Sequence, residues 1–366
     1  MTSAEPAKRP RRRRRYVAIP LAVLVGGAAV AALWPSPIDA RAWRPGPPPP
    51  LAGPFAANRD LAQGRLLFPE SLRNPEHVAV DDRGRVYTGT VDGVVHRIVD
   101  PTGDSPRLEA FATVPGRPLG MAFRPDGDLV VAADGGGLLA ISPDGEVRRL
   151  SDRRANSVAV AADGAVYFSE ATSLADRNFP LGMLEQRPYG SLLVLRPGSE
   201  EPVILVDGLV FANGVALTPG DEAVLVVESF RYRIHRHWLT GPRAGETEPW
   251  VEDLPAIPDN LATDDRGRVW VGFNAPRSAL LDVTLHPRPW LKDQAAKAAP
   301  LIRAAGGGAR YGLVAAFDSS GVPVRSLHDP DGGYRGTSAA VPDTEAGLLW
   351  VGSLFDDGLL AVPLPR

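Results

Sequence analysis

The chain has 366 residues, 44% of them hydrophobic and 23% charged, which is enough for one large domain or two small ones. It contains no cysteine, which excludes disulfides, thiolate metal sites and cysteine nucleophiles. Its formal net charge is −3, and because residues 1–15 carry a net charge of about +6, the remainder is acidic. An acidic body argues against a nucleic-acid partner, because neutralising phosphates requires a basic surface.

The first predicted element is a membrane anchor that follows the basic tail, residues 1–15. Residues 16–34 are uncharged and largely apolar, and as a helix they span about 28 Å, roughly one hydrocarbon core. The basic flank predicts a single pass with a cytoplasmic N-terminus and an extracytoplasmic body. The alternative is a cleaved signal peptide, because the small residues 28–32 resemble the approach to a cleavage site; the protein would then be secreted.

Residues 35–60 are rich in proline and predict an extended linker to a folded domain, residues 61–366. Within that domain, an alternating apolar strand, a glycine turn and a second alternating strand recur six times. The turn residues are Gly84, Gly127, Gly164, Gly220, Gly267 and Gly347. This repeat predicts an all-β, six-bladed β-propeller with four-stranded blades. Residues 61–68 are predicted to pair with the last blade and close the ring.

Two insertions interrupt the repeats, at residues 172–190 and 275–310. The second contains WLKDQAAKAAPLIRAA, whose spacing and composition favour a helix. Long loops in propellers often gather over one mouth of the channel, so this insertion is interpreted either as a lid or as a solvent-facing helix.

Oxygen-bearing side chains occupy equivalent positions at the start of several repeats. They are Glu76, Asn156, Asn213 and Asp259, with Asn260 alongside. In a propeller the innermost strands line the axial channel, so these side chains would converge although they are distant in sequence. Carboxylate and amide oxygens are the ligands that Ca²⁺ prefers, and another divalent cation could use them too. The alternative is that each residue only forms a local Asx turn.

Several longer motifs resemble the strictosidine synthase-like proteins. They are RPLGMAF, GLVFANGVALTPG, LPAIPDNLATDDRGRVWVGF and LLWVGSLF. These proteins are part of the wider paraoxonase and gluconolactonase (senescence marker protein) group of six-bladed propellers. The order of basic tail, apolar anchor and propeller is similar to the adipocyte plasma membrane-associated protein branch. The resemblance implies a channel calcium held by Glu76, Asn156, Asn213 and Asp259, with Asn260 as a further ligand.

The chain also departs from these relatives at two places. Leu119 stands where paraoxonases carry a histidine proposed as a base. Ala339 and Ala340 stand in the region where the alkaloid-forming synthases carry an acid/base glutamate. We therefore expect a calcium-dependent hydrolase of esters or lactones, in which calcium acts as a Lewis acid on the carbonyl. Asp259 or, as a second candidate, Glu76 would activate the attacking water.

Two other functions stay open from the sequence. One is a calcium-stabilised propeller that binds a partner or small molecule without catalysis, and the other is condensation of an amine with an aldehyde. The missing glutamate disfavours the second. The sequence leaves the physiological substrate and the oligomeric state undetermined.

Overall fold

A computed structural model describes residues 34–174, 179–298 and 310–365. Within these ranges the chain is almost entirely antiparallel β-structure. The strands are β1 (Arg65–Leu67), β2 (Val78–Val80), β3 (Val86–Gly89), β4 (Val94–Val99), β5 (Arg107–Thr113), β6 (Arg117–Phe123), β7 (Leu129–Asp134), β8 (Gly137–Ile141), β9 (Val147–Ser151), β10 (Val158–Val160), β11 (Val166–Glu170), β12 (Gly190–Leu195), β13 (Val203–Leu209), β14 (Ala212–Leu217), β15 (Ala223–Glu228), β16 (Arg233–Trp238), β17 (Thr247–Val251), β18 (Ala256–Thr263), β19 (Val269–Pro276), β20 (Gly312–Phe317), β21 (Pro323–Asp329), β22 (Thr337–Asp343), β23 (Leu348–Ser353) and β24 (Leu359–Pro363).

The strands fall into six sets of four, numbered here in chain order. Sets 1 to 4 are separate sheets, β2–β5, β6–β9, β10–β13 and β14–β17. Set 5 is β18–β21, and set 6 consists of β22, β23, β24 and β1. The one residue pair Phe273–Thr337 joins sets 5 and 6 into an eight-stranded sheet. The fold is therefore an all-β, multi-bladed propeller-like structure, as the repeats predict.

The first strand of each set lies at the centre of the molecule. These inner strands, β2, β6, β10, β14, β18 and β22, contact one another in that order, and β22 returns to β2. Six apolar clusters fill the spaces between neighbouring sets. Tyr87 of set 1, for example, shares a cluster with Met121 and Val131 of set 2. The core is thus distributed around the ring, because each sheet buries both faces against its neighbours.

The predicted closure of the ring is confirmed. β1 pairs with β24, from Arg65 opposite Ala361 to Leu67 opposite Leu359. Leu61 is fully buried just before this strand. The beginning and the end of the folded domain therefore share one sheet, which covers the edge that β24 would otherwise expose.

The six predicted turn glycines all adopt positive φ angles, between 66° and 92°. This is the conformation that a tight hairpin requires and that only glycine adopts without strain. Carboxylates fix several of these turns: Asp264, for example, accepts hydrogen bonds from the backbone N–H groups of Arg266 and Arg268. Each of these turns joins an inner strand to the second strand of its set. We call the face with these turns the hairpin face, and the opposite face, where the inner strands begin, the upper face.

Both insertions lie on the upper face, because each connects the second strand of its set to the third. The first contains helix α1 (Phe179–Glu185), and the second contains a π-helical turn (Leu280–Leu285) and helix α2 (Pro289–Lys297). The two helices contact each other, and with the π-helical turn they form what we call the cap. Helix α2 confirms the predicted helix; the rest of that sequence from residue 299 lies outside the described residues.

The proline-rich segment is not a free spacer, because much of it lies along the ring. Arg41 donates its backbone N–H to the carbonyl oxygen of Glu185, and Trp43 donates to that of His286, each at 2.9 Å. Residues 36–46, which we call the strap, thereby connect α1 to the second insertion. Farther on, Phe55 is buried in the apolar core. The prolines predict an extended chain, but the apolar residues between them bind that chain to the domain.

The predicted basic tail and anchor lie outside the described residues, except for Trp34, which is exposed. In the part of the chain that the structure describes, no helix has the length and apolar character needed to cross a membrane.

Candidate metal centre

The five predicted ligands lie at equivalent ends of four inner strands, on the upper face. Asn213 lies at a bulge in β14, and Asp259 and Asn260 lie at a bulge in β18. A bulge releases residues from the regular ladder and changes the direction of their side chains. Glu76 and Asn156 each stand two residues before their inner strands, β2 and β10. Local backbone irregularity at the strand starts therefore places these side chains at the centre of the ring.

Hydrogen bonds connect these strand starts to the neighbouring sets. The backbone N–H of Gly120 donates to the carbonyl oxygen of Asn156 at 2.9 Å. The hydroxyl of Ser338 donates to the carbonyl oxygen of Glu76 at 2.6 Å. On the other side of the ring, the hydroxyl of Ser229 donates to the carbonyl oxygen of Pro258 at 2.7 Å. The ligand-bearing backbone is thus held from set to set.

A glycine permits the close approach of sets 4 and 5. A Cβ atom on Gly214 would lie 2.4 Å from the carbonyl oxygen of Asp259. We therefore expect Gly214→Ala to displace Asp259, to weaken calcium binding and to lower the free energy of unfolding by about 1–3 kcal/mol. Urea unfolding and calcium titration measure the two effects.

A glycine on the hairpin face provides the control for this substitution. Gly84 has a φ of +71°, and no described atom lies within 4 Å of a Cβ placed there. Gly84→Ala should lower stability through backbone strain and leave calcium affinity unchanged. Equal calcium affinity in the two variants would contradict the positioning role of Gly214.

Four of the five residues carry a buried side-chain oxygen that has no hydrogen-bond partner among the described residues. These atoms are Oδ1 of Asn156, Asn213, Asp259 and Asn260. An unsatisfied buried polar atom costs about 1–3 kcal/mol, so four of them at the upper ends of three neighbouring inner strands require an explanation. A hard cation fits this donor set. The described residues contain no group of three or more His, Cys, Asp or Glu side chains suited to a metal, so the amide oxygens are necessary to the site.

Both carboxylates of the site are buried, and of the two only Glu76 forms an ion pair among the described residues. Burial and the nearby charge of Glu76 hold the pKa of Asp259 well above its usual range, although the Asn274 amide, 3.4 Å away, opposes this. Burial raises the pKa of Glu76 to about 7, against the opposing effect of Arg117. The Arg117 guanidinium lies 3.1 Å from Glu76 Oε2. Because burial raises the pKa of both carboxyls, and Glu76 adds to the effect on Asp259, a divalent cation would stabilise both ionised forms.

Two residues of this site were not predicted from the sequence, Arg117 and Asn274. Asn274 lies near the end of β19, the second strand of its set. The sequence contains a signal for Asn274, because three other second strands end in a side chain that carries oxygen on the upper face. These residues are Asp134, Glu170 and Glu228. Arg117 begins β6 and has no counterpart in the repeat, so the sequence offers no signal for it.

The residues that replace the bases of related enzymes supply no acid or base. Leu119, Ala339 and Ala340 are all buried apolar residues. His77 is packed between sets 1 and 2, where its Nδ1 accepts the backbone N–H of Met121 at 3.3 Å. Burial lowers the pKa of His77 to about 4. This histidine is therefore a neutral structural residue.

Comparisons with known proteins agree with the predicted family. The family model for strictosidine synthase matches residues 156–242, and the model for the N-terminal region of strictosidine synthase-like proteins matches residues 53–98. The chain is 32% identical over 371 residues to the adipocyte plasma membrane-associated protein of Danio rerio, covering 90% of this chain and 85% of the relative.

Solved structures give the same fold at lower sequence identity. A gluconolactonase from Xanthomonas campestris has a TM-score of 0.59 and 17% identity, covering 91% of this chain and 99% of the other. Regucalcin, a calcium-binding protein from Agrobacterium tumefaciens, has a TM-score of 0.57 and 14% identity, covering 81% and 92%. At such identities the similarity shows the fold alone. The sequence matches show more: this chain belongs to the strictosidine synthase-like family, in the branch of the adipocyte plasma membrane-associated proteins.

Proposed function

We propose that the protein is a six-bladed propeller that binds calcium on its axis and hydrolyses esters or lactones there. The six four-stranded sets and the closed cycle of inner strands support the blade number. The observation that carries the functional proposal is the set of four unpaired buried oxygens, three from amides and one from Asp259, together with the buried carboxylate of Glu76. The ligands would be Glu76, Asn156, Asn213, Asp259 and Asn260.

Calcium bound at these oxygens would supply Lewis-acid chemistry to the carbonyl of an ester or lactone. The side chains of the site would activate the attacking water and orient the groups involved. Asp259 is the candidate base for the attacking water, because burial makes its carboxylate more basic than an exposed one. The amide of Asn274 contacts Asp259 Oδ2 and so orients this carboxylate. Glu76 is the second candidate base, although it is already engaged by Arg117.

The upper face also offers an apolar surface for the rest of a substrate. Phe211, which precedes Asn213 by two residues, packs against Phe230 and Phe179, with ring centroids 4.4 and 5.3 Å away. Beside these rings is a small cavity lined by Thr172, Gly182, Glu185, Arg187, Tyr189, Phe211 and Phe230. The partly exposed rings of Phe211 and Phe179 would contact an apolar group of the substrate at the rim of this cavity, and the cap would limit the access of water.

We also propose that the domain is attached to a membrane through residues 16–34, with the domain outside the cytoplasm. The apolar sequence of that segment supports this, and so does the name of its relatives, adipocyte plasma membrane-associated protein. If the segment is cleaved, the protein is secreted instead.

Hydrolysis of phenyl acetate and a panel of lactones by the full chain in detergent tests the proposed activity. We expect turnover with calcium, its loss on adding EDTA, and its recovery when calcium is restored, because the four unpaired oxygens have no other partner among the described residues. Calcium binding without turnover of any substrate would favour the non-catalytic propeller. Metal-independent condensation of an amine with an aldehyde would favour the synthase. Failure to bind calcium would exclude the proposed centre.

A further inference from the structure

Arg117 places a permanent positive charge inside the candidate calcium site. Its Nη2 lies 3.1 Å from Glu76 Oε2 and donates to the carbonyl oxygen of Asn74 at 3.2 Å. The Glu76 side chain is only 6% exposed, whereas that of Arg117 is 26% exposed. The guanidinium therefore enters the site from its rim and neutralises the carboxylate that calcium would also need.

A second carboxylate lies on the outer side of the same arginine. Asp134, the last residue of β7, is directly opposite Arg117 in the strand pair. Its side chain is 63% exposed and is 3.6 Å from Arg154, a distance beyond an ordinary hydrogen bond. Asp134 also acts electrostatically on Glu76, so it is close to the site. Arg117 thus contacts one carboxylate, Glu76, and has a second, Asp134, as its cross-strand neighbour.

Two cations cannot share one buried carboxylate favourably, because their mutual repulsion is strong where water is excluded. Glu76 can satisfy either Arg117 or a divalent cation. The arginine side chain is long, and only its outer part needs to move to exchange one carboxylate for the other.

We propose that Arg117 is the internal counter-ion of the metal-free site, and that a divalent cation binds by displacing it from Glu76 toward Asp134. This inference rests on the proposed calcium site. It makes Arg117 a positioning residue that lowers calcium affinity below what the oxygen ligands alone would give. It also makes Asp134, which contacts no calcium, a contributor to that affinity, because Asp134 accepts the displaced guanidinium.

Calcium titration of the full chain by calorimetry, with Ca²⁺ alone as the probe, tests the exchange. We expect Arg117→Gln to lower the Kd by about tenfold or more, because the competing charge is removed. Arg117→Lys keeps the charge and should remain within about threefold of wild type. Asp134→Asn should raise the Kd by about three- to tenfold, because the displaced guanidinium loses its acceptor.

Arg154→Gln is the matched control, since it removes an arginine near Asp134 but leaves Glu76 untouched; its Kd should change by less than about threefold. Thermal melts with and without calcium check folding and give a second readout. If Arg117→Gln folds poorly, Asp134→Asn tests the same exchange from the other side. Wild-type affinity in both variants would overturn the role of Arg117 and leave the site intact. No calcium binding by wild type would instead overturn the proposed function.

Discussion

Asp259→Asn should abolish calcium binding and turnover while making the metal-free protein more stable than wild type. The buried carboxyl of Asp259 has one oxygen without a partner among the described residues, and it is close enough to Glu76 for their charges to interact unfavourably. An amide of the same shape removes this interaction. We expect the free energy of unfolding without calcium to rise by about 1–3 kcal/mol. Thermal melts with calcium and with EDTA should coincide for this variant.

Glu76→Gln provides the contrast, because it should also abolish calcium binding but raise metal-free stability less than Asp259→Asn does. Glu76 is the ionic partner of the partly buried Arg117, and losing this attraction offsets part of what is gained by removing a buried charge. The two variants therefore share the loss of calcium binding and differ in the size of the stability change. A larger rise in stability for Glu76→Gln than for Asp259→Asn would contradict the charge arrangement described here.

The pH dependence of metal-free stability should differ between wild type and Asp259→Asn. A carboxyl whose pKa is raised by folding holds its proton in the folded state and loses it in the unfolded state, so stability falls as the pH rises. For Glu76 this window runs from its ordinary value of 4.5 to about 7. Wild type with EDTA should lose stability across this window. Asp259→Asn should lose less stability, because the Asp259 carboxyl, whose pKa folding also raises, no longer contributes to the pH dependence.

Removal of β1 should prevent the domain from folding. A fragment starting at residue 70 loses the strand that pairs with β24, together with the buried side chains of Phe55, Leu61 and Leu67. Each such side chain stabilises the fold by about 1.5–3 kcal/mol, and their sum approaches the total stability of a typical domain. The exposed edge of β24 would also favour aggregation.

Three fragments separate the closing strand from the strap. Residues 35–366 should unfold cooperatively and bind calcium, residues 51–366 should melt at a lower temperature because the strap is gone, and residues 70–366 should not yield a folded monomer. Circular dichroism and size-exclusion chromatography measure these outcomes. Cooperative unfolding of the shortest fragment at the melting temperature of the longest would show that β1 is dispensable.

The fold was predictable because its signals are local and repeated. Glycine turns and alternating strands recur in phase, and both depend on backbone conformation over a few residues. The ligand positions share this regularity: Glu76, Asn156 and Asp259 each precede their turn glycine by eight residues. A constant distance from a fixed turn means an equivalent position in each blade, which is why the residues that converge could be recognised.

The remaining features depend on contacts between segments that are distant in the chain. Arg117, in set 2, contacts Glu76, which precedes the first strand of set 1. Nothing around Arg117 in the sequence indicates that contact. The strap was predicted as part of a spacer because the longer segment that contains it, residues 35–60, is rich in proline. Its attachment through Trp43, which packs against Tyr232 with ring centroids 5.4 Å apart, depends on a surface formed only in the folded domain.

The position of the strap determines which side of the molecule other proteins would encounter. Because the chain reaches the ring across the upper face, attachment of the N-terminus to any surface would turn that side toward the surface. The hairpin face, with its exposed turn residues, would then be the side presented to macromolecules in solution.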